Sequence, residues 1–250
     1  MIFRQLIEPE SSTYTYLIGC EKTGEAVLLD PVVETCERDL EEVAALGLKL
    51  AFTLDTHIHA DHITGACRLR SLTGCKVVYP ADESLSCADV AVNEAAPLVV
   101  GDLIIHALFT PGHTDKHHCY LIEQGNRSQV FTGDALLIDG CGRTDFQNGD
   151  SATLYKSVRE KLFTLPPDTL VYPAHDYEGR RVSTIMQERT RNPRLNDQVS
   201  LREFQQIMAR LDLPYPKKID VAVPANLKCG DCVEDAAEHL HEIGGKSPQG

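Results

Sequence analysis

Hydrophobic and polar positions along the chain follow two periods, one of strands and one of helices. Residues 13–18 and 26–29 are short apolar or β-branched runs of strand type, the second closed by Asp30-Pro31. Residues 48–54, 76–79, 103–110, 119–122, 129–132 and 169–172 read the same way, with Gly125-Asn126 turning between two of them. Helical spacing predicts amphipathic stretches at 36–46 (Leu40, Val43, Ala44) and 63–72 (Ile63, Ala66, Leu69, Leu72), the latter ended by Gly74. A third helix starts at Ser151 as N-cap, carries Leu154, Val158 and Leu162, and stops at Pro166-Pro167. Two more are expected at 183–191 and 200–211. Strands and helices thus mix in a layered α/β chain. One domain is expected over residues 1–230, followed by an acidic, loosely held tail at 231–250.

Residues that bind metals gather where the predicted strands end. Thr56-His57-Ile58-His59-Ala60-Asp61-His62 follows the strand at 48–54. Pro111-Gly112-His113-Thr114 follows 103–110, Gly133-Asp134 follows 129–132, and Pro173-Ala174-His175-Asp176 follows 169–172. Facing imidazoles repel once protonated, whereas a divalent cation takes neutral imidazole and carboxylate together. Any one of these histidines alone would mean little; four strand exits form a constellation, and α/β folds place ligands there. Counted from residue types, seven candidates suggest two metals with Asp134 bridging, which is the chemistry of hydrolysis by metal-activated water.

Bulk properties narrow the field. At 250 residues one large domain is expected, and no apolar run is long enough to span a membrane. The net charge of −13 excludes the basic footprint of a nucleic-acid groove and disfavours anionic membranes. No signal or transit segment is read at the start, so the expected location is cytoplasmic, or mitochondrial if the chain is processed. Nine scattered cysteines predict thiols in a reducing compartment rather than a disulfide framework. Cys229 and Cys232 form a C-x-x-C without the second pair of a zinc ribbon. It is read as chemically quiet, with a metal- or thiol-responsive sensor as the alternative it would support.

The order His-x-His-x-Asp-His, His113, Asp134, His175 resembles the metallo-β-lactamase superfamily, an α/β fold built as an αββα sandwich with metals at one edge of two packed sheets. Within it the chain looks like the persulfide dioxygenases, a resemblance running from Phe3 to Cys229. Its most specific segments are residues 131–138 continuing into 140–147 (Gly-Cys-Gly-Arg-Thr-Asp-Phe-Gln), then 172–177, 188–195 and 223–230. Lys116-His117-His118 departs from the pattern, where smaller residues are expected; these two histidines are either groups behind the metal ligands or solvated bystanders, with bystanders the preferred reading. The resemblance implies one Fe(II) per chain, held by His57, His113 and Asp134, and oxidation of glutathione persulfide by O2 to sulfite and glutathione, in sulfide oxidation. It demotes His59, Asp61, His62 and His175 to groups that orient the ligands or line the substrate approach. Arg143, Tyr177, Asn226 and Lys228 are the expected partners of glutathione, and a homodimer is implied, with no nucleic acid or membrane partner. A glyoxalase II-like dinuclear hydrolase of glutathione thioesters is the alternative enzyme.

Overall fold

The structure is a computed structural model that describes residues 1–230; the expected tail at 231–250 and Cys232 lie outside the described residues. The first sheet holds β1 (Ile2–Glu8), β2 (Thr13–Gly19), β3 (Glu25–Leu29), β4 (Lys49–Leu54), β5 (Lys76–Pro80) and β6 (Val90–Val92), side by side in chain order. β1 to β3 are joined antiparallel, and β3 to β6 run parallel. Parallel neighbours need crossovers, supplied by α1 (Cys36–Ala45) and α2 (Ala66–Thr73). The second sheet holds β7 (Leu98–Val100), β8 (Leu103–Phe109), β9 (His118–Gln124), β10 (Arg127–Gly133), β11 (Leu170–Pro173) and β12 (Ser183–Thr184). It is antiparallel except at β10–β11, whose crossover is α3 (Ser151–Ser157). Helices α4 (Ile185–Arg191), α5 (Leu201–Ala209) and α6 (Ile219–Asn226) follow.

The strand period sorts side chains into layers. On β2, Tyr14, Tyr16 and Ile18 face the second sheet and meet Ile105, Tyr120, Phe131 and Tyr172. Leu17 points the other way, with Leu28 and Leu50, beneath Val43 of α1 and Leu69 of α2. Leu121 and Val130 face outward from the second sheet, against Leu154 of α3 and Phe204 of α5. Two sheets inside two helical layers make the αββα sandwich. Among the described residues no helix is long and apolar enough to cross a membrane.

Several local expectations shift. α2 starts at Ala66 rather than Ile63, because the Thr64 amide donates to the Asn226 side chain and Ile63 accepts from Val33. α3 is capped by Asp150, which accepts from the Thr153 amide, rather than by Ser151. Residues 183–184 pair with β11 before the helix begins. β6 and β7, three residues each, are too short to show a period, and α6 was not foreseen. The cysteine expectation is overturned: Cys87 and Cys229 are bonded across 142 positions, and Cys67 is also in a disulfide. Such a pairing leaves no local pattern to read.

Phe204→Ala, which opens a void under α5, should cost about 3–5 kcal/mol of unfolding free energy. Asp150→Ala, which removes one cap, should cost about 1 kcal/mol. Denaturant titration of both variants checks the order.

Candidate metal centre

Strand direction assembles the centre. β8, β10 and β11 run the same way, so His113, Asp134 and His175 leave the second sheet at one edge. The loop after β4 brings His57 to that edge from the first sheet. Ligand atoms of His57, His113 and Asp134 lie within 4.8 Å of one another. His59, Asp61 and His62 form a neighbouring group of their own, and His175 stands 3.5 Å from Asp61 and 3.6 Å from Asp134.

The protons on these rings are placed by their far-side partners. His113 Nδ1 lies 2.7 Å from the Arg143 carbonyl, which can only accept, so the proton is on Nδ1 and the Nε2 lone pair is free. Thr56 gives its one hydroxyl proton to Asp30 (3.1 Å), so its oxygen accepts from His57 Nδ1 at 2.9 Å, and again Nε2 is free. Burial, then the imidazoles of His59, His113, His117 and His175, hold His57 well below the usual histidine range. Two inward-facing Nε2 atoms and a carboxylate whose buried Oδ1 has no hydrogen-bond partner among the described residues remain. That donor set, two imidazoles and one carboxylate, fits a non-haem ferrous ion with open positions.

Asp30 carries much of this order. It sits at the exit of β3 in a left-handed conformation (φ 50°) and is buried. Its carboxylate accepts from the Thr56 amide (2.7 Å) and from His59 Nε2 (3.1 Å). Burial alone would lower the His59 pKa, yet Asp30, Asp61 and Asp55 raise it to about 9. Burial raises neighbouring Asp55 to about 7. His62 Nδ1 donates to the Asp61 carboxylate (2.9 Å), and its buried Nε2 has no hydrogen-bond partner among the described residues. Asp61 is held well below the carboxylate range by His62 and His175, against its burial. Asp30 was read only as a strand break, although it carries the same signal as the others, a carboxylate at a strand exit.

His117 and His118 are not solvated. Both are buried, and His117 lies inside the centre, its ring centroid 5.0 Å from His57. Its Nε2 accepts from the Asp134 amide at 3.1 Å. Burial, then His113 and His118, keeps it well below the histidine range, and so neutral. Gly133 (φ 49°) makes room for it, since a Cβ there would come within 2.4 Å of Nε2. Gly112 is required on the other side, where a Cβ would strike the Leu154 backbone of α3 at 2.2 Å.

Above His113, Asp134 and His175 opens a cavity of about 670 Å³. Of the expected glutathione partners, Arg143 and Tyr177 line it. The Arg143 guanidinium is already engaged, by Asp145 (2.6 and 2.7 Å) and the Pro214 carbonyl (2.8 Å). Tyr177 is exposed, its ring parallel to His175 at 6.1 Å. Asn226 is not placed to meet substrate: it is buried, accepting from Thr64 and donating to the His59 and His62 carbonyls, each at 2.9 Å. Lys228 lies on the exposed surface and does not line the cavity. Lys217 and Lys218 do, and the sequence reading passed over both. Lys218 is paired with Glu10 and Glu34, while Lys217 has no ion pair among the described residues.

The family model of the metallo-beta-lactamase superfamily matches residues 9–175. The chain is 51% identical to the mouse mitochondrial persulfide dioxygenase ETHE1 over 231 residues, 92% of this chain and 89% of that protein. Its human counterpart is 50% identical over the same share. The crystal structure of ETHE1 from Myxococcus xanthus is 54% identical, with a TM-score of 0.88 over 92% of this chain and all of that one. A Staphylococcus aureus metallo-beta-lactamase structure, at 23% identity and a TM-score of 0.82, shares the fold across 91% of this chain and 71% of its own. With the family model matching residues 9–175 and these relatives about 50% identical over 92% of its length, the chain belongs to the persulfide dioxygenases of the metallo-β-lactamase superfamily.

Proposed function

We propose that the chain oxidises the terminal sulfur of glutathione persulfide, at one ferrous ion held by His57, His113 and Asp134. Persulfide, dioxygen and water give sulfite, glutathione and protons; the glutathione sulfur leaves as a thiol and the terminal sulfur takes both oxygens. A ferrous ion held by these three residues would take up the persulfide sulfur and dioxygen and would let electrons pass between them. The observation that carries this reading is the converging triad, whose two ring protons are turned away onto Nδ1.

The remaining residues divide by what they touch. His59 grips Asp30, and through it the Thr56 hydroxyl that orients His57. Asp61 and His175 line the cavity, with buried His62 bonded to Asp61 behind it, and together they can hold or move a proton during release of sulfite. Arg143 serves through its carbonyl, which orients His113, and through its guanidinium, which holds the Pro214 segment on the rim. Lys217, on that rim and without an ion pair among the described residues, is the cation we assign to a glutathione carboxylate in place of Lys228. The orphaned nitrogens of His59 and His62 favour the second reading, a dinuclear hydrolase.

Metal analysis separates the two. One iron per chain is expected, with dioxygen uptake on adding glutathione persulfide; two zincs with thioester hydrolysis would overturn the assignment. Asp134→Ala should weaken ferrous binding by at least about 100-fold, whereas His175→Ala should keep the iron. For substrate, Lys217→Ala should raise KM about two- to fivefold with kcat unchanged, the worth of an exposed ion pair. A KM equal to wild type would remove Lys217 from the substrate site.

A further inference from the structure

His117 stands where a smaller residue was expected, and it makes three contacts that together reach every member of the triad. Its carbonyl accepts from the Thr110 amide at 2.9 Å, closing the loop that carries His113. Its Nε2 accepts from the backbone amide of Asp134 at 3.1 Å. Its ring lies against His57, with centroids 5.0 Å apart and planes inclined by 32°.

The hydrogen-bond chain admits one tautomer. An amide can only donate, so Nε2 must present its lone pair and Nδ1 must carry the proton. That proton faces Thr110 Oγ1 at 3.1 Å, and the threonine hydroxyl passes its own on to the Cys119 sulfur (3.1 Å) or the Leu108 carbonyl (3.4 Å). Every polar atom of this fully buried side chain is therefore committed, with none left for solvent or substrate. The space it occupies exists because Gly133, at φ 49°, lacks a Cβ.

We propose that His117 is a positioning residue for the metal triad: it holds the backbone at Asp134, and so sets where the one carboxylate ligand begins. The amide it takes belongs to the ligand residue itself, immediately after the end of β10, where the strand ladder no longer supplies an acceptor. Without an acceptor that half-buried N–H is left unpaired, and the turn relaxes to find another. Partners of metal ligands tune affinity in this way without touching the ion. This inference rests on the triad assigned above.

The test compares holoprotein variants by iron retention against a competing chelator and by the electron paramagnetic resonance of the ferrous nitric oxide adduct, which reports ligand geometry. His117→Leu should release iron at about 10- to 100-fold lower chelator concentration and change the rhombicity of the signal. His117→Gln, whose Oε1 can take the Asp134 amide proton, should restore both toward wild type. Retention and spectrum unchanged in His117→Leu would reduce His117 to packing and overturn the proposal. If that variant does not fold, Thr110→Val, which removes the partner of Nδ1, should shift retention in the same direction by less; no shift overturns the proposal equally. Asp134→Ala run alongside separates the two levels: iron kept without Asp134 defeats the triad, whereas iron lost there but kept in His117→Leu defeats only the role of His117.

Discussion

A buried imidazole can bind a metal only if its one proton has somewhere else to go. Everything at this site depends on that constraint. His113 sends its proton to the Arg143 carbonyl, His57 to Thr56 backed by Asp30, and His117 to Thr110. Each acceptor is itself buried or held by the backbone, so the lone pairs all turn inward. A histidine cluster without these outer partners would leave the tautomer of each ring unset, so that N–H groups as well as lone pairs could face inward.

The constraint explains why the fold invests in the loops around the metal more than in the ligands. Asp30 leaves β3 where its carboxylate can reach Thr56 and His59 together. Asn226, near the C-terminal end of the described chain, is spent on three backbone groups of the His57–His62 loop and its neighbour Thr64. The Cys87–Cys229 bond ties the same segment to the turn after β5. The helix α6 is therefore part of the metal loop's support, which a reading by distance along the chain cannot detect.

Legibility varied with the range of the interaction. The seven ligand-type residues and the strands delivering them were visible because each strand exit is a local pattern, and the long amphipathic stretches at 36–45 and 201–209 were found for the same reason. The two-residue strand at 183–184 was taken into a helix, since pairing with β11 is invisible to a local period. Asn226 and Lys228 were carried toward the substrate because they sit in a family-like segment. One is consumed inside the protein and the other lies away from the cavity. His117 was dismissed because a polar residue beside a lysine and a second histidine reads as solvated; only burial reveals its partner 17 positions on.

Residue types and their order along the chain were enough for the superfamily, the layered α/β class and a set of candidate metal-binding groups, because those follow from periodicity and from the chemistry of imidazole and carboxylate. Which of the seven groups share one point in space was not contained in spacing. The convergence of His57 with His113 and Asp134 arises at one edge of the two face-packed sheets, and the direction of each lone pair is set by acceptors up to 30 positions away. Long-range packing places those acceptors, and the proton on each ring follows them.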